Sequence, residues 1–153
     1  PYTHYNIKQI ENTVECNISE YFTFTFVRNP WDKLLSEYHW RIEWDKRIEN
    51  WNFKKFICKL AKKSIGGTHF KSQYSFIFKN YSKHSMDFIG RFENLQEDFN
   101  IICDKIGISC QELPHENKTK HKHYTEYYDE ETRQLVAEIY AKDIEYFGYK
   151  FGE

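Results

Sequence analysis

A chain of 153 residues, 40% of them hydrophobic, is long enough to build one domain around its own core. Its net charge of −1 and pI near 6.8 exclude the strongly basic surface of a general nucleic-acid binder. No apolar run approaches the roughly 20 residues of a membrane-spanning helix, and 13 Phe with 12 Tyr predict a core dominated by aromatic packing.

Residues 5–16 read as a short helix or irregular lead-in. Residues 21–27 form the clearest strand. Phe22, Phe24 and Phe26 alternate with Thr23, Thr25 and Val27, and both faces are apolar enough to predict cover on both sides. Asn29-Pro30 is a helix start, with Asn as cap and Pro as first residue. The helix runs to about Glu43 and turns Leu34, Leu35, Tyr38 and Ile42 inward. A second helix is expected over 52–63, with Phe53, Phe56, Ile57 and Leu60 inward, and Gly66-Gly67 breaks the pattern.

A second strand is predicted at Met86–Gly90, then a helix over 94–106 with Leu95, Phe99, Ile102 and Ile106 at helical spacing. Gly107 ends it. Residues 111–128 read as a long polar loop, followed by a last helix capped by Asp129 and reaching Tyr146. This order indicates an α/β domain with a small parallel sheet.

Cys16, Cys58, Cys103 and Cys110 match neither a zinc ribbon nor a redox pair and are expected to be mostly buried thiols. His115, His121, His123 and Cys110 are too irregularly spaced for a zinc site. The sequons at Asn17, Asn80 and Asn117 are a weak secretory hint, since the pattern arises easily by chance. Lys54-Lys55 and Lys59 to Lys63 read as the solvated side of a helix. Asp129-Glu130-Glu131 suits the first turn of a helix, where the macrodipole favours acids.

Ligands of open α/β sheets gather at the carboxyl ends of strands. Arg28 stands at such an end, and Ser36 follows two helical turns later. A guanidinium fork, a hydroxyl and backbone N–H groups make a phosphate site. The same residues also fit a surface ion pair and a packed serine, so spacing alone leaves both readings open.

Three stretches carry a resemblance. "FTFVRNPWDKLLSEY" (Phe24–Tyr38) resembles the 3′-phosphate motif of sulfotransferases that use 3′-phosphoadenosine 5′-phosphosulfate (PAPS). "FIGRFENLQEDF" (Phe88–Phe99) is similar to the second strand and helix of the branch containing heparan sulfate 2-O-sulfotransferases and small bacterial carbohydrate sulfotransferases. Glu116–Phe151 resembles that branch's late loop and last helix.

The resemblance implies a P-loop NTPase-like sulfotransferase fold, with a small parallel sheet flanked by helices in one domain over residues 1–153. It places Arg28 and Ser36 on the 3′-phosphate, and Asn117, Lys118, Thr119 and Lys120 in a loop closing over the nucleotide. His4, 24 residues before Arg28, becomes the general base that deprotonates the acceptor hydroxyl. Arg41, Arg47 and Gln73 fall on the acceptor side. The implied donor is PAPS, the product PAP, with no metal, and the acceptor is a saccharide. Self-association is expected from the aromatic excess and any unpaired sheet edge. The setting is cytoplasmic for a bacterial member and the Golgi lumen for a eukaryotic one, with the short length favouring the former.

One family feature is missing: the Gly-rich loop that cradles the 5′-phosphosulfate. Ser64-Ile65-Gly66-Gly67-Thr68 has glycines but follows a helix, lacks the lysine and comes in the wrong order. The expectation is an N-terminally truncated or naturally shortened member. The alternative is a degenerate, non-catalytic nucleotide-binding domain of the same fold. A small-molecule kinase is disfavoured, because no Gly-Lys-Ser/Thr loop is present.

Overall fold

The structure, a computed structural model, describes residues 5–14, 17–78, 86–114 and 121–153. In chain order the elements are α1 (Ile7–Val14), β1 (Phe24–Val27), α2 (Pro30–Trp44), α3 (Phe53–Ala61), α4 (Gln73–Phe78), β2 (Phe88–Arg91), α5 (Leu95–Ile106), α6 (Glu130–Ile139) and α7 (Ala141–Phe147). They divide into two compact units: residues 1–28 with 73–116, and residues 29–72 with 117–153. No helix among the described residues is long and apolar enough to cross a membrane.

In the first unit β1 and β2 pair in parallel, in register from Phe24↔Phe88 to Val27↔Arg91. Both strands start later than their apolar patterns predict, at Phe24 rather than Tyr21 and at Phe88 rather than Met86. The reason is a polar knot just before the ladder. The Thr23 N–H and hydroxyl both donate to Asp87 Oδ2, at 2.7 and 2.8 Å, and the Asp87 N–H donates back to Thr23 Oγ1. Side chains there take the hydrogen bonds that a longer ladder would use. Cover of the sheet is uneven: Val27 is buried while Phe24 is 44% exposed, which corrects the expectation of a sheet sealed along its length.

Helix α5 packs against β2. It ends as predicted at Gly107, whose φ of +74° suits a residue without a Cβ and whose N–H bonds the Cys103 carbonyl. Ile102 and Cys103 are its buried positions, while Ile106 in the terminal turn is exposed. The cysteines divide: Cys103 is buried, Cys58 half-buried and Cys110 exposed, so the expectation of mostly buried thiols does not extend to Cys110. At Gly90 an added Cβ would sit 2.6 Å from the Phe26 ring, so the packing of that ring against the β2 backbone requires glycine there.

In the second unit α2, α3 and α6 pack together. Asn29 caps α2 and Pro30 opens it, as the sequence predicts. Trp31, Leu34, Leu35 and Tyr38 are buried, with Ile42 half-buried. Asn52 caps α3, and all four predicted inward residues, Phe53, Phe56, Ile57 and Leu60, are buried. Asp129 caps α6 in a capping box with Thr132.

The last helix is not continuous. It breaks at Tyr140 (φ −111°, ψ 26°) into α6 and α7. The buried Tyr140 ring donates its hydroxyl to the Phe70 carbonyl, and buried Asp143 accepts from the Ser72 hydroxyl. These tertiary contacts outweigh a helical pattern that contains neither Gly nor Pro. The loop before α6 is less polar than predicted, because its 3₁₀ turn Tyr124–Tyr127 buries Tyr124.

Candidate functional site

Arg28 lies one residue beyond the last ladder pair, Val27↔Arg91, in the first unit. Its N–H donates to Gln73 Oε1 at 2.9 Å, and Gln73 Nε2 donates to its carbonyl at 2.8 Å. The carboxamide at the start of α4 thus meets the Arg28 peptide groups as a neighbouring strand would.

The parallel register carries one step further on the side chains. Arg28 follows Val27 as Phe92 follows Arg91, and the guanidinium carbon sits 4.2 Å from the Phe92 ring centroid. A guanidinium held over a ring can still fork a phosphate, because its N–H donors lie in its own plane.

The second unit builds the start of α2. Buried Asn29 accepts from the Trp31 N–H through Oδ1, at 3.1 Å, and donates through Nδ2 to the Lys150 carbonyl (3.1 Å) and the Tyr124 hydroxyl (3.3 Å). The Tyr124 hydroxyl also accepts from the Gly152 N–H and donates to the Glu153 carbonyl. Tyr128 donates to the Trp31 carbonyl at 2.8 Å, and burial pushes its phenol well above the usual tyrosine range. Phe151 meets the Trp31, Tyr124 and Tyr128 rings edge-on at 5.5–5.6 Å. The residues after the expected nucleotide loop are therefore packed on the first turn of α2. Ser36 is half-buried, six residues after Pro30 on that helix. His4 and Asn117, Lys118, Thr119 and Lys120 lie outside the described residues.

Arg41 and Arg47 share a cavity of about 350 Å³ in the second unit, together with Asp45, Trp51, Ser64 and Gly66. Arg47 forks onto Asp45, Nε to Oδ1 at 2.8 Å and Nη2 to Oδ2 at 2.7 Å, and holds that carboxyl down to about 2. Arg41 donates to Glu37 and lies over the Phe70 ring at 4.5 Å. Glu37 also meets His69 Nδ1 at 3.2 Å, and His69 stacks on Trp40. Gln73 belongs to the first unit, where both ends of its amide engage Arg28.

No cluster of three or more metal-ligating side chains occurs among the described residues. His121 stacks on His39 at 5.1 Å, and His123 Nδ1 lies 2.8 Å from Thr125 Oγ1. Phe92 is the residue that sequence reasoning missed. Its signal is the parallel register itself, which makes the residue after β2 a neighbour of the residue after β1.

A family model described as the sulfotransferase family matches residues 3–150. An uncharacterized protein of Archaeoglobus fulgidus is 38% identical over 88 residues, covering 58% of this chain and 69% of that one. No solved structure gives a significant match.

Proposed function

The chain belongs to the sulfotransferase family, and from that premise we propose that it moves a sulfuryl group from PAPS to a hydroxyl of a saccharide acceptor. The observation that carries this reading is Arg28: its guanidinium rests on Phe92 just past the carboxyl end of β1, and Gln73 fixes its backbone. That donor set fits the 3′-phosphate of the nucleotide, a doubly charged group that an arginine forks more selectively than a lysine does. The family resemblance assigns Ser36 and Asn117, Lys118, Thr119 and Lys120 to the same nucleotide.

Bound PAPS supplies the sulfuryl group, whose bond to the 5′-phosphate oxygen breaks as a bond to the acceptor oxygen forms. His4 takes the hydroxyl proton, a task suited to an imidazole near neutral pH. The acceptor meets Arg41 and Arg47. The cavity they line supports a saccharide, because Trp51 gives it an aromatic wall and the Arg47–Asp45 pair offers donors and acceptors together. Its volume of about 350 Å³ lies within the range of roughly 300–1,000 Å³ typical of small-molecule sites.

The test is calorimetric titration with PAP. Wild type is expected to bind, and Arg28→Ala to lose about 10- to 150-fold, the worth of charge-assisted hydrogen bonds of about 1.5–3 kcal/mol. A folded wild type with no measurable PAP binding overturns the nucleotide assignment. Binding without sulfate transfer from labelled PAPS to any polysaccharide of a panel supports the non-catalytic alternative instead.

A further inference from the structure

We propose that Gln73 is a positioning residue that sets nucleotide affinity through Arg28 and contacts neither nucleotide nor acceptor itself. The proposal rests on the reading of Arg28 as the 3′-phosphate ligand and deepens it. The β1–β2 ladder stops at Val27↔Arg91, so strand pairing with β2 does not extend to the Arg28 peptide groups. Gln73 supplies the pairing instead, accepting from the N–H at 2.9 Å and donating to the C=O at 2.8 Å. Only Asn and Gln side chains carry a planar amide with an acceptor and a donor, the complement of a peptide group.

Two hydrogen bonds on one residue fix both sides of its Cα and therefore the direction of its Cβ. From that fixed root the Arg28 side chain reaches Phe92, whose ring lies 4.2 Å from the guanidinium carbon. Backbone clamp and aromatic shelf hold opposite ends of one long side chain. An arginine held at both ends has less freedom to lose when it grips a phosphate, so the clamp raises affinity without touching the ligand. Gln73 also lies 45 residues from Arg28 in sequence, so the clamp ties α4 to the end of β1.

The experiment is a double-mutant cycle read by PAP titration, using wild type, Gln73→Met, Arg28→Ala and the double variant. Methionine keeps the length of glutamine and removes its amide. Gln73→Met is expected to weaken PAP binding about 3- to 20-fold with an unchanged far-UV circular dichroism spectrum. In the Arg28→Ala background the same substitution is expected to have no further effect, the signature of a residue acting through its partner. Amide hydrogen exchange at Arg28 is expected to speed up in Gln73→Met, with or without nucleotide.

Should Gln73→Met not fold, Gln73→Glu keeps the acceptor for the Arg28 N–H and removes the donor, and a smaller loss confined to the Arg28 background is expected. Wild-type affinity in the Gln73 variants, or an equal loss with and without Arg28, overturns the positioning role while the phosphate reading stands. If Arg28→Ala itself binds PAP as wild type does, the phosphate reading fails and the positioning role falls with it.

Discussion

Removing the amide of Asn29 tests how firmly the start of α2 is held. Asn29 is 1% exposed and uses both ends of its side chain. In Asn29→Ala the Trp31 N–H loses its cap acceptor, a change typically worth about 1 kcal/mol. The Lys150 carbonyl loses its donor at 3.1 Å in a part-buried contact, and an acceptor left unpaired away from water costs about 1–3 kcal/mol. The Tyr124 hydroxyl loses least, because the Gly152 N–H and Glu153 carbonyl still bind it. The sum is a destabilisation of about 2–4 kcal/mol. Asn29→Ser keeps a cap oxygen and gives up the reach to Lys150, so its cost is expected to be about 1–3 kcal/mol, below that of alanine. Urea unfolding followed by tryptophan fluorescence reads both, since Trp31 is buried next to the cap. The midpoint should fall while the slope with urea stays constant. Alanine within about 0.5 kcal/mol of wild type, or serine as damaging as alanine, would falsify this account of the cap.

Three further outcomes are expected. Gly90→Ala forces a Cβ to within 2.6 Å of the Phe26 ring and 3.2 Å of the Asp98 Cβ, and such overpacking should cost about 1–3 kcal/mol in a denaturant titration. A second substitution, Phe26→Val, should recover part of that loss, and no recovery would place the clash elsewhere. Phe92→Leu removes the aromatic shelf under Arg28. At about 0.5–1 kcal/mol for an exposed cation–π contact, PAP affinity should drop about 2- to 5-fold with the fold intact, and an unchanged affinity rejects the shelf. His39 carries a pH dependence. Burial, then the stacked His121 ring, lowers its pKa, while Glu43 opposes them, and its Nε2 has no hydrogen-bond partner among the described residues. The unfolded chain therefore binds this proton at higher pH than the folded one. The contribution is fully present above the ordinary histidine pKa of about 6.5 and is lost as the pH falls through the window below it. Thermal melts from pH 8 to 5 should show this slope flattened in His39→Gln, and an identical slope in the variant assigns it to another group.

The elements that the sequence announces are those decided within one turn of chain. Asn29-Pro30, Gly107 and Asp129 mark helix ends by local chemistry, and the structure places caps at all three. The four apolar residues of α3 recur at helical spacing, and all four are buried. Arg28 at a strand's end is legible for the same reason. What stays hidden depends on residues far apart. Both strands start late because Thr23 and Asp87, 64 positions apart, tie their polar groups together. The last helix breaks at Tyr140 because its hydroxyl finds the Phe70 carbonyl, 70 positions away. Neither residue is a turn former, so no local pattern signals the event.

The same division runs through the candidate site. A short motif can state which groups are present: a guanidinium, a hydroxyl eight residues on, a helix start. It cannot state how rigidly the guanidinium is aimed, and for a flexible side chain aim decides how much of the interaction survives its loss of freedom. Here aim comes from outside the motif. Gln73 holds the Arg28 backbone, and Phe92 holds its far end through a register that exists only once β1 and β2 have paired. The expected place of Gln73 on the acceptor side came from the family resemblance, whereas both ends of its amide engage the Arg28 peptide groups. Substituting Arg28 therefore asks whether the chemistry is present, and substituting Gln73 or Phe92 asks whether it is aimed. Losses of unequal size, largest at Arg28, follow if the distant residues act only through the arginine they hold.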